Sequence, residues 1–211
     1  MLLWSMFFLG LVFGVFARLG RFCLLRGLRQ SMGLDRNEPR GAAPALQAFA
    51  LALAVALLAS QGLQLAGLVD LGHAQIVRPN FSILGVLVGG AVFGLGMVLA
   101  NACGARSLVL LAGGNLRSLI AVVFLALGAQ ASSTGVLVPL RQWFQGIAPS
   151  SLQTTTVDQY LHAAGWSANA VFVAVAVIPA LLLLAFALWR PALRQSPAQW
   201  VSAVVIGLLV A

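Results

Sequence analysis

Lysine is absent. All twelve basic residues are arginine, set against only four acidic ones. Without lysine there is no phosphate-binding residue of the P-loop type, no Schiff-base nucleophile and no lysine general base. Charge of either sign is scarce: 8% of residues are charged, against roughly 25% in soluble domains, so a water-soluble fold is excluded. The two histidines, His73 and His162, stand alone without metal-ligand spacing, and no metal or cofactor is expected. Cys23 and Cys103 lie eighty residues apart and form neither a CxxC redox motif nor a zinc framework. The N-terminus has no basic leader region and no small-residue cleavage site, so its first apolar run is expected to stay as a helix.

What fills the chain is hydrocarbon. It is 61% hydrophobic with a mean hydropathy of +1.01, in runs of helical length rather than the short alternating strands of a membrane barrel. The fold class read from this is an all-α integral membrane protein. About five complete transmembrane helices are expected over Leu2–Ala17, Ala45–Ala59, Ile83–Ala100, Ser118–Val138 and Ala168–Trp189, the last kinked at Pro179. A sixth begins at Gln199. Leu140–Phe144 and Val157–Ala164 read as short interfacial helices, with Trp143 at headgroup level. Residues 1–211 then form a single transmembrane domain. Ten arginines (Arg18–Arg40, Arg106–Arg117, Arg190–Arg194) fall on one side and only Arg78 and Arg141 on the other. The positive-inside bias makes the first side cytoplasmic and places the N-terminus outside. It also accounts for the net charge of +8 without a nucleic-acid partner.

The stretch from Gly85 to Leu119 breaks the pattern. Between two apolar spans it packs Asn101, Cys103, Gly104, Arg106, Gly113, Gly114, Asn115 and Arg117. Irregular backbone at membrane depth persists only where protein or a cavity satisfies it, so short broken or re-entrant helices are expected here. Its first half occurs twice. Gly10-Leu-Val-Phe-Gly14 and Gly90-Ala-Val-Phe-Gly94 are each followed by eight residues and a cysteine. A further echo, between Ser202-Ala-Val-Val-Ile-Gly207-Leu208 and Ser5-Met-Phe-Phe-Leu-Gly10-Leu11, starts from the opposite side of the membrane. This reads as the opening of an inverted repeat, with residues 1–211 as the N-terminal half of a longer transporter.

In apolar surroundings a thiol stays protonated, and a neutral S–H is a weak, polarisable donor. Two thiols at matched places beside broken helices therefore suit loose contact with a soft anion, as passage requires. Gly104, Gly113 and Gly114 would let backbone N–H groups face such an anion. Asn101 and Asn115 either add side-chain donors or satisfy the broken backbone themselves. Arg106 reads equally as an anion attractor and as a snorkelling marker of topology. Gly89, Gly90, Gly94 and Gly96 have the spacing of close helix packing.

The twin G-x-V-F-G-x8-C phrases, the segment Arg21-Phe-Cys23-Leu-Leu-Arg-Gly-Leu-Arg29, and the block from Gly94 through Cys103 to Ala112-Gly-Gly-Asn-Leu-Arg-Ser118 resemble the YeeE/YedE family of bacterial inner-membrane proteins. The resemblance covers about residues 5–137, and Cys23 and Cys103 match the first two family cysteines. It implies pseudo-inverted halves pinched at the centre, thiosulfate passed inward along cysteines without catalysis, and a cytoplasmic sulfur carrier of the TusA type as partner. Asn101-Ala102 departs from the glycines common there in relatives, and a further family cysteine belongs to the second half. Two rival functions remain at this stage: a membrane thiol-disulfide oxidoreductase cycling Cys23 and Cys103, and a non-transporting scaffold.

Overall fold

Backbone in hydrocarbon must satisfy its own hydrogen bonds, and the apolar runs do so as helices. A computed structural model describes residues 2–34, 43–67, 80–146, 149–151, 165, 167, 171, 173–189, 193 and 196–211. The expected interfacial helix over Val157–Ala164 lies outside them. So do His73, His162, Arg36, Arg40, Arg78, Arg190 and Arg194. Two compact units are formed, Met1–Asp70 with Phe172–Ala211, and Leu71–Val171.

The first unit is built on α3 (Pro44–Leu65). It also holds α1 (Leu2–Leu19), α2 (Leu24–Ser31), α8 (Ile178–Trp189) and α9 (Pro197–Val210). Helices α2, α8 and α9 pack on α3, and α1 packs on α9. The core is made of small residues, Ala48, Ala50, Ala52, Ala187 and Ala203 around Leu51 and Leu193. Small side chains bring backbones close, the usual basis of helix association where lipid removes the hydrophobic driving force. Gly207 shows how close: a methyl group there would lie 2.7 Å from the Ala52 carbonyl oxygen. A π-helical turn, Val173–Val177, precedes α8. Pro179 lacks an N–H and crowds the carbonyl of Val175, so the expected distortion is absorbed in this turn.

The second unit contains α4 (Ile83–Ala100), α5 (Gly104–Ala112), α6 (Leu116–Ser133) and α7 (Val138–Gly146). It also has one antiparallel pair of three-residue strands, β1 (Asn80–Ser82) with β2 (Pro149–Ser151). Ser82 Oγ accepts from the Gly85 N–H to cap α4 and donates to the Phe144 carbonyl, tying α4 to α7. The expected helix over Leu140–Phe144 is α7.

Among the described residues, four stretches are long and apolar enough to cross a membrane: Leu3–Ser31, Pro44–Leu65, Leu84–Ala112 and Leu116–Ser133. The chain is thus a multi-pass helical membrane protein. Of the five complete spans expected, four reach that length. The fifth, expected over Ala168–Trp189, is helical over Val173–Trp189, and residues 168–170 and 172 lie outside the described residues. The fourth ends at Ser133 rather than Val138. Gly135 turns the chain there, and a methyl group on it would meet the Ala131 Cα at 2.7 Å. The packing expected at Gly89, Gly90, Gly94 and Gly96 is not seen: a methyl group at each meets nothing within 4 Å.

Candidate functional site

The duplicated phrase folds twice into the same local form. α1 and α4 each run 18 residues. Each is followed by a residue in the left-handed region, Arg21 at φ 48° and Asn101 at φ 56°, the two non-glycine cases among the described residues. Two residues later comes the cysteine, extended in both cases, as the N-cap of a short helix. Cys23 (φ −161°, ψ 119°) begins α2, and Cys103 (φ −77°, ψ 163°) begins α5. The first helical bonds are equivalent: the Gly27 N–H donates to the Cys23 carbonyl at 3.1 Å, and the Ser107 N–H to the Cys103 carbonyl at 2.9 Å. Both broken spans, Leu3–Ser31 and Leu84–Ala112, are 29 residues long.

Superposing the two phrases exposes a residue that the sequence reading passed over. Arg26 stands three residues after Cys23, as Arg106 does after Cys103. Extending the G-x-V-F-G alignment three residues past each cysteine finds it. Both arginines occupy the third position of their helix, where the helix dipole is positive and a cation costs about 0.3–1 kcal/mol. Neither first turn carries an acidic residue. The backbone N–H groups of such a turn have no partner within the helix, and neither cysteine side chain caps them. Each kink therefore has a cysteine N-cap, a helix N-terminus and an arginine in the first turn.

The level of each kink follows from its neighbours. A methyl group on Gly104 would lie 3.2 Å from Leu125 Cδ1. Leu125 is nine residues into the eighteen of α6, about 14 Å along it, so Cys103 sits beside the middle of that span. In the other unit Phe22 stacks on Phe49 with ring centres 5.4 Å apart, and Gly27 abuts Leu46. Phe22, the neighbour of Cys23, thus meets α3 about 8 Å from its start. Cys23 is 3% exposed and Cys103 half-buried, and neither is in a disulfide.

The remaining predicted residues divide. Asn101, Gly104 and Arg106 gather at the Cys103 kink. Gly113, Gly114 and Asn115 do not. They form the turn between α5 and α6, ten to twelve residues beyond Cys103 and about 14 Å along α5. There Gly114 takes φ +86°. The Asn115 side chain caps α6, its Oδ1 accepting from the Arg117 N–H at 3.1 Å, so it satisfies broken backbone. The glycines and Asn115 thus form the turn that joins α5 to α6.

Gln30 is a further residue that sequence spacing could not show. It is 1% exposed, and its Oε1 accepts from the Ala45 N–H at 3.2 Å. The N-cap of α3 is Ala43, which has no capping side chain, so Gln30 caps α3 from α2 and holds the Cys23 helix against it. Among the described residues, no group of three or more potential metal ligands occurs.

A protein family described as sulphur transport matches residues 19–211. The thiosulfate transporter TsuA of Spirochaeta thermophila is 28% identical over 215 aligned residues. That alignment covers 100% of this chain and 62% of the relative, so the chain spans about three fifths of the relative's length. No solved structure matches it.

Proposed function

We propose that this chain, which belongs to the sulphur-transport (YeeE/YedE) family, works as a permease for a small sulfur-containing anion, thiosulfate, passed inward along cysteine thiols. The observation that carries this reading is the twin kink, with a cysteine N-cap and an arginine one turn on, present once in each unit. The relative's name supports the choice of thiosulfate.

Thiosulfate carries two negative charges and a soft terminal sulfur. Leaving water for a membrane interior costs an unpaired ion far more than a protein can recover from packing alone. At each kink Arg106 or Arg26 supplies a countercharge, and helix-end N–H groups replace lost water. The thiol is a weak donor that touches the soft sulfur without holding it. Weak contact allows onward movement, where a tight site would trap the ion. No bond forms or breaks, and no nucleotide is consumed.

The arginine-rich side faces the cytoplasm of a bacterial inner membrane, with the N-terminus outside. The chain is a single transmembrane domain and the first half of an inverted repeat, and a cytoplasmic sulfur carrier of the TusA type receives the product. The test is uptake of labelled thiosulfate by cells expressing the full-length protein. Cys103→Ser and Cys103→Ala should each lose at least nine-tenths of the rate at unchanged membrane abundance. Wild-type uptake in both would remove the thiols from the path.

A further inference from the structure

In the second unit, on α7, the buried Nε of Arg141 has no hydrogen-bond partner among the described residues. Arg141 lies on α7, which packs against β1, α4 and α6. Its side chain is half-buried, and its Nε is fully buried with no hydrogen-bond partner. No carboxylate stands anywhere in the sequence between Asp70 and Asp158, and among the described residues Arg141 forms no ion pair. A buried guanidinium N–H without an acceptor costs about 1–3 kcal/mol or more, because the group carries charge. The positive-inside bias also disfavours arginine on this side, where only Arg78 accompanies it against ten on the other. An anion arriving from outside lifts both costs at once.

The surroundings fit that partner. Phe144, one turn after Arg141, accepts from Ser82 Oγ at 3.1 Å, so Arg141 stands one turn before the point where α7 is joined to the start of α4. Helix α4 then runs 18 residues, about 27 Å, to the kink that holds Cys103. Trp143 and Phe144 pack edge to face with centres 5.0 Å apart, and aromatic residues of this kind suit a helix at the membrane surface.

We propose that Arg141 is a capture site for a divalent oxyanion, gathering the transported species at the outer end of α4 before it reaches Cys103. The proposal rests on the sulfur-anion reading above for the identity of its physiological ligand. A capture residue raises local concentration and does not touch the slow step, so its loss is overcome by more substrate.

Two measurements separate this site from the transport reading. In purified protein carrying Cys23→Ser and Cys103→Ser, sodium thiosulfate should raise the melting temperature above that in sodium chloride of equal ionic strength. Arg141→Gln should abolish that shift and Arg141→Lys should keep most of it. A shift that survives Arg141→Gln, or no shift in either protein, overturns the capture site whatever cells do. In cells expressing the full-length protein, Arg141→Gln should raise the half-saturating thiosulfate concentration about tenfold, the scale of a lost charged hydrogen bond. Its maximal rate should stay within twofold. A fall in maximal rate at unchanged half-saturation also overturns the proposal. If wild-type cells take up no thiosulfate while the Arg141-dependent shift persists, the transport reading fails and the anion site stands.

Discussion

Replacing Gly27 by alanine tests how Cys23 is held. The added methyl carbon would sit 2.7 Å from the Leu46 nitrogen and 2.8 Å from its Cα. These are backbone atoms of α3 and cannot swing away. Ordinary contact begins near 3.4 Å, so α2 must retreat by about 0.7 Å, an overpacking strain of ~1–3 kcal/mol. The Ala45 N–H to Gln30 Oε1 bond, already 3.2 Å, would stretch beyond hydrogen-bonding range and lose about 1 kcal/mol more. A total of about 2–4 kcal/mol corresponds to a melting-temperature fall of ~5–10 °C for a chain of this length. The assay is thermal unfolding of purified protein in detergent, with uptake measured in parallel, because Cys23 moves with α2. Gly10→Ala is the control: its methyl group meets nothing within 4 Å, and alanine gains roughly 1 kcal/mol over glycine within a helix. If Gly27→Ala melts with the wild type, or Gly10→Ala falls as far as Gly27→Ala, the close approach of α2 to α3 is wrong.

Three further outcomes follow from the kinks. Arg21 takes φ 48°, which costs a side chain about 1–2 kcal/mol, so Arg21→Gly should raise the melting temperature by several degrees and Arg21→Val should lower it. Asn115→Ala removes the cap of α6 and should cost about 0.5–2 kcal/mol, read as a lower melting temperature with uptake kept above half. With Cys23 3% exposed and Cys103 half-buried, N-ethylmaleimide should modify Cys103 at least tenfold faster by peptide mass spectrometry. Equal rates would contradict the burial that separates the two.

The helical class and the broken Cys103 stretch were legible because each has a strong local signal: unbroken apolar runs, and glycines with asparagines where such a run stops. Asn101 in the left-handed region is of that kind, since asparagine tolerates it. Arg21 is not, because arginine has no preference for that backbone, and only its place two residues before Cys23 marks it. The fourth span was read past Gly135 because Val136, Leu137 and Val138 continue the apolar run; the turn is set by the close approach to Ala131. Gln30 was invisible for a different reason. Its partner lies fifteen residues away on another helix, and a cap supplied across a tertiary contact leaves no trace in spacing. Gly113, Gly114 and Asn115 are marked in the sequence by polar residues where the apolar pattern breaks, but the distance between that break and Cys103 is not. The regular length of α5 carries them about 14 Å away. The four glycines of α4 fitted a packing motif, yet they face open space, since spacing alone names no partner.

The most direct test of the account is protection of the Cys103 thiol by substrate. Membranes containing the full-length protein are treated with N-ethylmaleimide over a series of thiosulfate concentrations, and labelling of Cys103 is followed by mass spectrometry. The account predicts that thiosulfate slows labelling in a saturable manner while sodium chloride at equal ionic strength does not, and that Arg106→Gln weakens the protection. Labelling of Cys103 at the same rate with and without saturating thiosulfate would contradict the claim that the anion passes this thiol.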